Sequence, residues 1–378
     1  MSPFGFATAG EIAFGPGVRS RLGAAARALG ARAFLVTGRD AARAGWADAA
    51  LRAEGLAVVT HPCAGEPTID DARAAVASAR AFRADVIVAV GGGAALDLGK
   101  AVAGLLGADD PMEHLEVVGR GRPLTIAPAP AIAVPTTAGT GSEVTRNAVL
   151  GALEHGRKVS LRDPRMLPRL ALVDPDLLAG LPHGVALASG LDALVQGIEA
   201  YLSRMANPLT DALCRDAVPR GLGALPRLLD GDAGARSDMA LSSLFAGLAL
   251  ANSKLGAIHG LSGVIGGRSG GAHGALCGRL APAVLSLTEA ALPAGHPAAA
   301  RCAEVRGWIA AALGGGPVEG WETLRRFVDD RGLPSLAALG FDPAQTDEIA
   351  AEALKASSTQ GAPEPPTAEM LARALRAA

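Results

Sequence analysis

The sequence predicts a two-part fold, an α/β domain built on a parallel sheet followed by an all-helical domain, and three observations lead there. Between about residues 30 and 175, short apolar runs rich in β-branched residues alternate with Ala-rich helical stretches. Those runs are apolar on both faces, as parallel strands covered by helices on each side require. Beyond Val173 the strand signal stops, and nearly every segment to Ala378 has helical periodicity. Residues 1–175 are thus expected to form the α/β domain and 176–378 the helical one. The change should fall within LVDPDLLAGLP, where Pro175 and Pro182 interrupt the pattern.

Taken in order, the elements begin with FGFATAGEIAFGPG, whose alternating apolar positions predict a hairpin. ARAFLVTG, residues 31–38, reads as a strand, Asp70 to Phe82 as a helix and ADVIVAVGG as a buried strand. AIAVPTT and LALVD read as two further strands. In the second half, breaks are expected at Asn207-Pro208, Gly231 to Gly234, Gly314 to Pro317 and Leu333-Pro334, and a Pro-rich loop leads into a short terminal helix. No internal repeat is visible.

Composition narrows the class. The 378 residues carry a formal net charge of −2 and no basic run, which argues against a nucleic-acid or anionic-membrane partner. The start lacks the charged and apolar regions of a signal peptide, and no apolar run reads as a membrane span, so a cytoplasmic location is expected. The four cysteines, Cys63, Cys214, Cys277 and Cys302, form no CxxC pair and read as buried thiols.

Two sets of residues carry chemistry. Asp192 and Gln196, four apart in GLDALVQGIEAYLS, project from one helix face. His259 in AIHG and His273 in GAHG flank a Gly-rich stretch that could fold back and bring both imidazoles to the same point. Singly, each His has a packing or turn explanation. Together, two imidazoles, a carboxylate and an amide oxygen suit a divalent cation such as Fe or Zn. The second set lies in the first half. Gly91, Gly92 and Gly93 stand directly between a strand and a helix, where missing Cβ atoms let the backbone approach a pyrophosphate and free N–H groups attract its charge. Thr136, Thr137, Thr140 and Ser142, in AVPTTAGTGSEVT, are donors suited to ribose and phosphate oxygens, or else caps and turn formers.

These motifs resemble the iron-containing, or group III, alcohol dehydrogenase family. GGGAALDLGK is similar to that family's GGGSxxDxxK, with Ala94 at the usual Ser, and PTTAGTGSEVT and GLDALVQGIEAYLSRMANPLTDAL are similar to two further family segments. The resemblance spans nearly the whole chain. It implies a Rossmann-like N-terminal domain holding NAD or NADP, and a helical domain holding the metal, an architecture shared with dehydroquinate synthase. Carried over by position, Gly92, Gly93 and Asp97 belong to the pyrophosphate loop, and Thr136, Thr137 and Ser142 to the second cofactor segment. Lys158 falls near another cofactor-facing position. Asp192, His259 and His273 match three metal ligands and are the expected catalytic set, while Gln196 stands where the family has His. A further family His, four residues after the first, is Gly263 here, so the proton step needs another group.

The implied activity is hydride transfer between nicotinamide and a small alcohol, aldehyde or ketone, in a protein that forms homodimers as the family does. Gly38 and Arg39 end the first strand where an acidic residue would select NAD, which favours NADP. Two alternatives follow from the departures. One is a maleylacetate reductase-like enzyme, pointed to by GEPT at residues 65–68 and the weakened ligand set, with Arg268 as a candidate cation for a dicarboxylate. The other is a non-catalytic nucleotide-binding relative.

Overall fold

The computed structural model describes residues 3–108 and 110–378; Met1 and Ser2, part of the N-terminal stretch read above, lie outside the described residues. The first half contains strands β1 (Ile12–Phe14), β2 (Arg32–Thr37), β3 (Ala57–Pro62), β4 (Val86–Gly91), β5 (Ala131–Pro135), β6 (Asn147–Ala152), β7 (Arg157–Arg162) and β8 (Leu170–Val173). Its helices are α1 (Leu22–Leu29), α2 (Gly45–Ala53), α3 (Ile69–Phe82) and α4 (Gly93–Leu105). Six strands form one parallel sheet in the order β1-β8-β5-β4-β2-β3. β6 and β7 form a separate antiparallel pair.

The two-sided burial expected of the central strands is present. Successive side chains of a strand point to opposite faces, and here each face has its own core. Phe34, Val36, Ile87, Ala89, Ala131 and Ala133 pack on one side with residues of α3 and α4. Leu35, Val86, Val88, Val90, Ile132 and Val134 pack on the other with residues of α1 and α2.

The N-terminal hairpin does not form. β1 is three residues long and pairs in parallel with β8, Ile12 opposite Ala171. The segment before it is held by a side chain instead of a second strand. Ala7 N–H donates to Asn252 Oδ1 at 2.6 Å, and Asn252 Nδ2 donates back to the Ala7 carbonyl at 2.8 Å. A partner that satisfies both backbone groups leaves nothing for a ladder to add.

The second half is helical: α5 (His183–Leu202), α6 (Pro208–Leu229), α7 (Ala235–Asn252), α8 (Ala257–Ser269), α9 (His273–Ala290), α10 (Pro297–Leu313), α11 (Gly320–Asp330), α12 (Thr346–Ala353) and α13 (Ala368–Ala377). Asn207 caps α6 by accepting from Leu209 and Thr210, with Pro208 at its first position, so the break expected there is a helix start. α5 packs against α6, α7 and α9. Among the described residues it is the one single helix long and apolar enough to cross a membrane, with 83% of that stretch buried in the fold. Asp192, Gln196 and Glu199 interrupt its apolar run, which is why the sequence did not read as a span.

By compactness the chain divides into two units. One comprises Thr8–Thr137 and Gly141–Ala179. The other comprises Gly180–Ala378, the segment ending at Ala7 and the three residues Ala138–Thr140. The main change therefore lies at Ala179–Gly180, four residues beyond the expected one, with two short excursions that composition does not mark.

Candidate functional site

Within the helical unit, α5 presents Asp192, Gln196 and Glu199 at spacings of four and three, one stripe of a helix. All three are at least 95% buried. Such burial needs partners, and each residue has a different kind.

Glu199 faces the start of α8. Its carboxylate accepts from Ile258 N–H at 2.7 Å, from His259 N–H at 3.3 Å and from His259 Nδ1 at 2.6 Å. An anion at a helix N-terminus satisfies open N–H groups and meets the positive end of the helix. Gly256 makes this approach possible, because a Cβ there would sit 2.6 Å from Glu199 Oε1. With Nδ1 donating to Glu199, His259 turns its Nε2 toward Asp192 Oδ1, 3.6 Å away. That is beyond hydrogen-bond range. Both atoms are buried with no hydrogen-bond partner among the described residues.

His273 opens α9. α8 ends at Gly270, whose φ of +70° suits glycine, and the chain reverses in three residues. The fold-back expected from the Gly-rich stretch is thus made by two helices. Gly274 lets α9 close on α5, since a Cβ there would lie 2.2 Å from the Ala188 carbonyl oxygen and 3.0 Å from Asp192 Cβ. His273 Nε2 lies 3.9 Å from Asp192 Oδ1. One helical turn on, Cys277 Sγ lies 3.7 Å from His273 Nε2. Donor atoms of Asp192, His259, His273 and Cys277 all fall within 4.8 Å of one another.

The electrostatics are those of a compact charge cluster. Burial alone would raise the Asp192 carboxyl, but the neighbouring His259 and His273 hold it below the usual carboxylate range. Burial opposes charge on His259, yet Cys277, Asp192 and Glu199 lift it well above an ordinary imidazole. Burial would raise the Cys277 thiol, and the two imidazoles bring it down to about 7.

Gln196, expected as the fourth donor through its amide oxygen, is held by its amide nitrogen. Its Nε2 donates to the Gly139 carbonyl at 2.6 Å, inside the same unit. Gly139 comes that close to α5 because it has no Cβ; one would lie 2.9 Å from Ser189 Cβ. Gly263, the position of the missing His, has nothing within 4 Å of where a Cβ would stand. Arg268, considered above as a cation for a dicarboxylate, is engaged with Glu348 at 2.8 Å, Glu352 at 2.9 Å and Gln345 at 3.0 Å. It ties α8 to the α12 region, so that role loses its cation.

The α/β unit holds a cavity of about 320 Å³ at the ends of β2, β4 and β5, lined by Gly38, Arg39, Trp46, Gly91, Gly92 and Thr136 among others. Gly91 is needed for space: a Cβ there would lie 2.6 Å from Ala95 Cβ and 3.2 Å from the Gly38 nitrogen. Gly92 caps α4 and Gly93 begins it, so their N–H groups stand at the helix start. Thr137 packs against Gly92. Trp46 is half-buried and lines this cavity.

The other residues expected at the cofactor have protein partners in this structure. Asp97 accepts from Ser142 Oγ at 2.6 Å and Val149 N–H at 3.1 Å and pairs with Lys100 at 3.1 Å, which fastens α4 to the segment after β5 and to β6. Lys158 pairs with Glu66 at 3.2 Å. Thr140 belongs to the helical unit. Sequence reasoning missed Glu199 and Cys277. Glu199 continues the Asp192-Gln196 stripe and was findable on that ground; Cys277, one turn after His273, gave no signal without the fold.

Residues 9–175 match the family model for iron-containing alcohol dehydrogenase, and residues 186–378 match the C-terminal model of the Fe-containing alcohol dehydrogenase family. The chain is similar to 4-hydroxybutyrate dehydrogenase of Cupriavidus necator, 39% identical over 67% of this chain and 69% of that one. It is 38% identical to phosphonoacetaldehyde reductase of Streptomyces viridochromogenes over 78% and 76% of the two chains. Among solved structures, 1,3-propanediol oxidoreductase superposes over 100% of both chains with a TM-score of 0.89 and 29% identity.

Proposed function

Because the chain belongs to the iron-containing alcohol dehydrogenase family, whose members are NAD(P)-dependent, metal-using oxidoreductases of alcohols and aldehydes, we propose that Asp192, His259 and His273 hold its metal and that NADP is its preferred cofactor. The convergence of these three residues carries the reading. Two of their buried atoms, Asp192 Oδ1 and His259 Nε2, face each other without partners. Leaving such atoms unmet costs about 1–3 kcal/mol each, and a cation between them removes both costs.

The metal, when bound, supplies a Lewis acid that stabilises negative charge on the substrate oxygen during hydride transfer. The chain's own residues prepare for that. Glu199 engages His259 through Nδ1, so Nε2 is the nitrogen that a bound cation would take. The apolar flanks of α5, with Leu191, Leu194 and Val195 buried, exclude water and strengthen every charge interaction in the cluster. In the α/β unit, the N–H groups of Gly92 and Gly93 receive a pyrophosphate. Arg39, exposed and donating through Nε to the Ala64 carbonyl at 2.6 Å, leaves its terminal nitrogens for a 2′-phosphate. The absence of an acidic side chain at Gly38 removes the usual obstacle to that phosphate.

Two similar proteins are named for short chains with an anionic end, 4-hydroxybutyrate and phosphonoacetaldehyde, so the substrate screen should begin with small aldehydes of that kind beside neutral ones. The test is NADPH and NADH oxidation with this panel, using protein of measured metal content and an Asp192→Ala variant. Activity that tracks bound metal and vanishes with Asp192 supports the reading. Full turnover by metal-free protein, or equal activity of the variant, refutes it. Arg39→Ala should raise the KM for NADPH roughly tenfold, the worth of one charge-assisted hydrogen bond, and leave that for NADH unchanged.

A further inference from the structure

We propose that Cys277 supplies the fourth protein ligand of this metal, as a thiolate, in place of Gln196, making the site an Asp/His/His/Cys set. This rests on the reading that Asp192, His259 and His273 hold a metal, and adds what completes it.

Geometry is the first support. Bonds of about 2.0–2.3 Å arranged tetrahedrally put neighbouring donor atoms roughly 3.3–3.6 Å apart. The separations here are 3.6 Å for Asp192 to His259, 3.9 Å for Asp192 to His273 and 3.7 Å for His273 to Cys277. The remaining donor pairs all lie within 4.8 Å, so the four side chains surround one point at which a cation could sit. His273 and Cys277 share one face of α9, four residues apart, so one helix presents both.

The second support is the state of the other donors. Asp192 and His259 are more than nine-tenths buried and turn partnerless atoms into the same space that Cys277 borders. Gln196 directs its amide N–H to the Gly139 carbonyl at 2.6 Å, which fixes the side chain against that backbone segment and leaves only a neutral amide oxygen to offer a cation. An amide oxygen is a weaker donor than a thiolate for Fe(II) or Zn(II). The sulfur has a neighbour suited to its charged form. Cys277 donates to Ser262 Oγ at 3.2 Å; once the thiol proton is released to solvent on coordination, the Ser262 hydroxyl can turn and donate to sulfur.

The test uses cobalt as the probe. Full-length protein stripped of metal is titrated with Co(II) and followed by absorption, in wild type, Gln196→Leu, Cys277→Ser and Asp192→Asn, with far-ultraviolet circular dichroism as the check on folding. Wild type and Gln196→Leu are expected to show a near-ultraviolet sulfur-to-cobalt charge-transfer band that saturates at one Co(II) per chain. Cys277→Ser should lose the band and bind Co(II) at least ~10-fold more weakly. Because wild type and Gln196→Leu are read directly, the outcome does not depend on the Cys277 variant folding. Stoichiometric Co(II) binding that needs Asp192 but gives no such band in wild type overturns the assignment of Cys277 and leaves the metal-dependent reading standing. No Co(II) binding by folded wild type overturns both.

Discussion

Glu199 controls which nitrogen of His259 faces Asp192. A carboxylate that accepts from Nδ1 makes Nε2 the lone-pair donor and raises its basicity. Glu199→Gln keeps the shape and removes the charge, so metal affinity should fall roughly tenfold, as titration calorimetry would show; an unchanged affinity would mean that the tautomer is set elsewhere. Gly263 offers the opposite experiment. It lies inside α8 with open space where a Cβ would stand, so Gly263→Ala should stabilise the protein by about 1 kcal/mol in urea denaturation. Glu143 sets a pH dependence in the other unit. Burial raises its carboxyl from 4.5 to about 7, against the pull of Lys100. Between those values the folded chain keeps a proton that the unfolded chain has released, so the contribution is full below pH 4.5 and lost as pH rises through about 7. Glu143→Gln should remove this slope, which is worth at most on the order of 3 kcal/mol. A variant whose stability falls with pH as steeply as wild type would show that another group is responsible.

α5 and α9 approach each other through glycine, and this contact positions the cluster. Gly274→Ala would drive a Cβ against the Ala188 backbone, which has no rotamer to yield with. The expected cost is roughly 1–3 kcal/mol, together with loss of metal binding; a variant of native stability and affinity would show that the helices have slack. The same elements show what sequence could reveal. β2, β4, β5 and β8 were legible because apolar runs buried on both faces have no other simple reading. β3 and the β6–β7 pair were not: AVVTHP is half-exposed on the sheet edge, and β6 (NAVLGA) and β7 (RKVSLR) are short and bury mainly alternate residues outside the main sheet. The false hairpin came from alternation alone, which does not tell a strand from a segment held by Asn252. Asp192, His259 and His273 were legible as types and by resemblance. Their shared location with Cys277 is a product of helix packing, which no local pattern records.

Across the whole molecule, ligands should act on different parts. A metal bound by α5, α8 and α9 stabilises by mass action, about 2.7 kcal/mol at a hundredfold excess over Kd. Hydrogen exchange should therefore show metal-dependent protection concentrated in those helices and little change in β2, β4 and β5. Equal protection of the parallel sheet would show that the two units open together. The three residues Ala138–Thr140 bear on a different matter, the portability of the helical half as a genetic cassette. A fragment beginning at Gly180 would carry Gln196 without the Gly139 carbonyl that receives its N–H, and Asn252 without Ala7. Grafting that half onto another nucleotide-binding scaffold thus requires three separate pieces of chain, which explains physically why a simple exchange at the obvious junction would yield a protein with an unanchored α5.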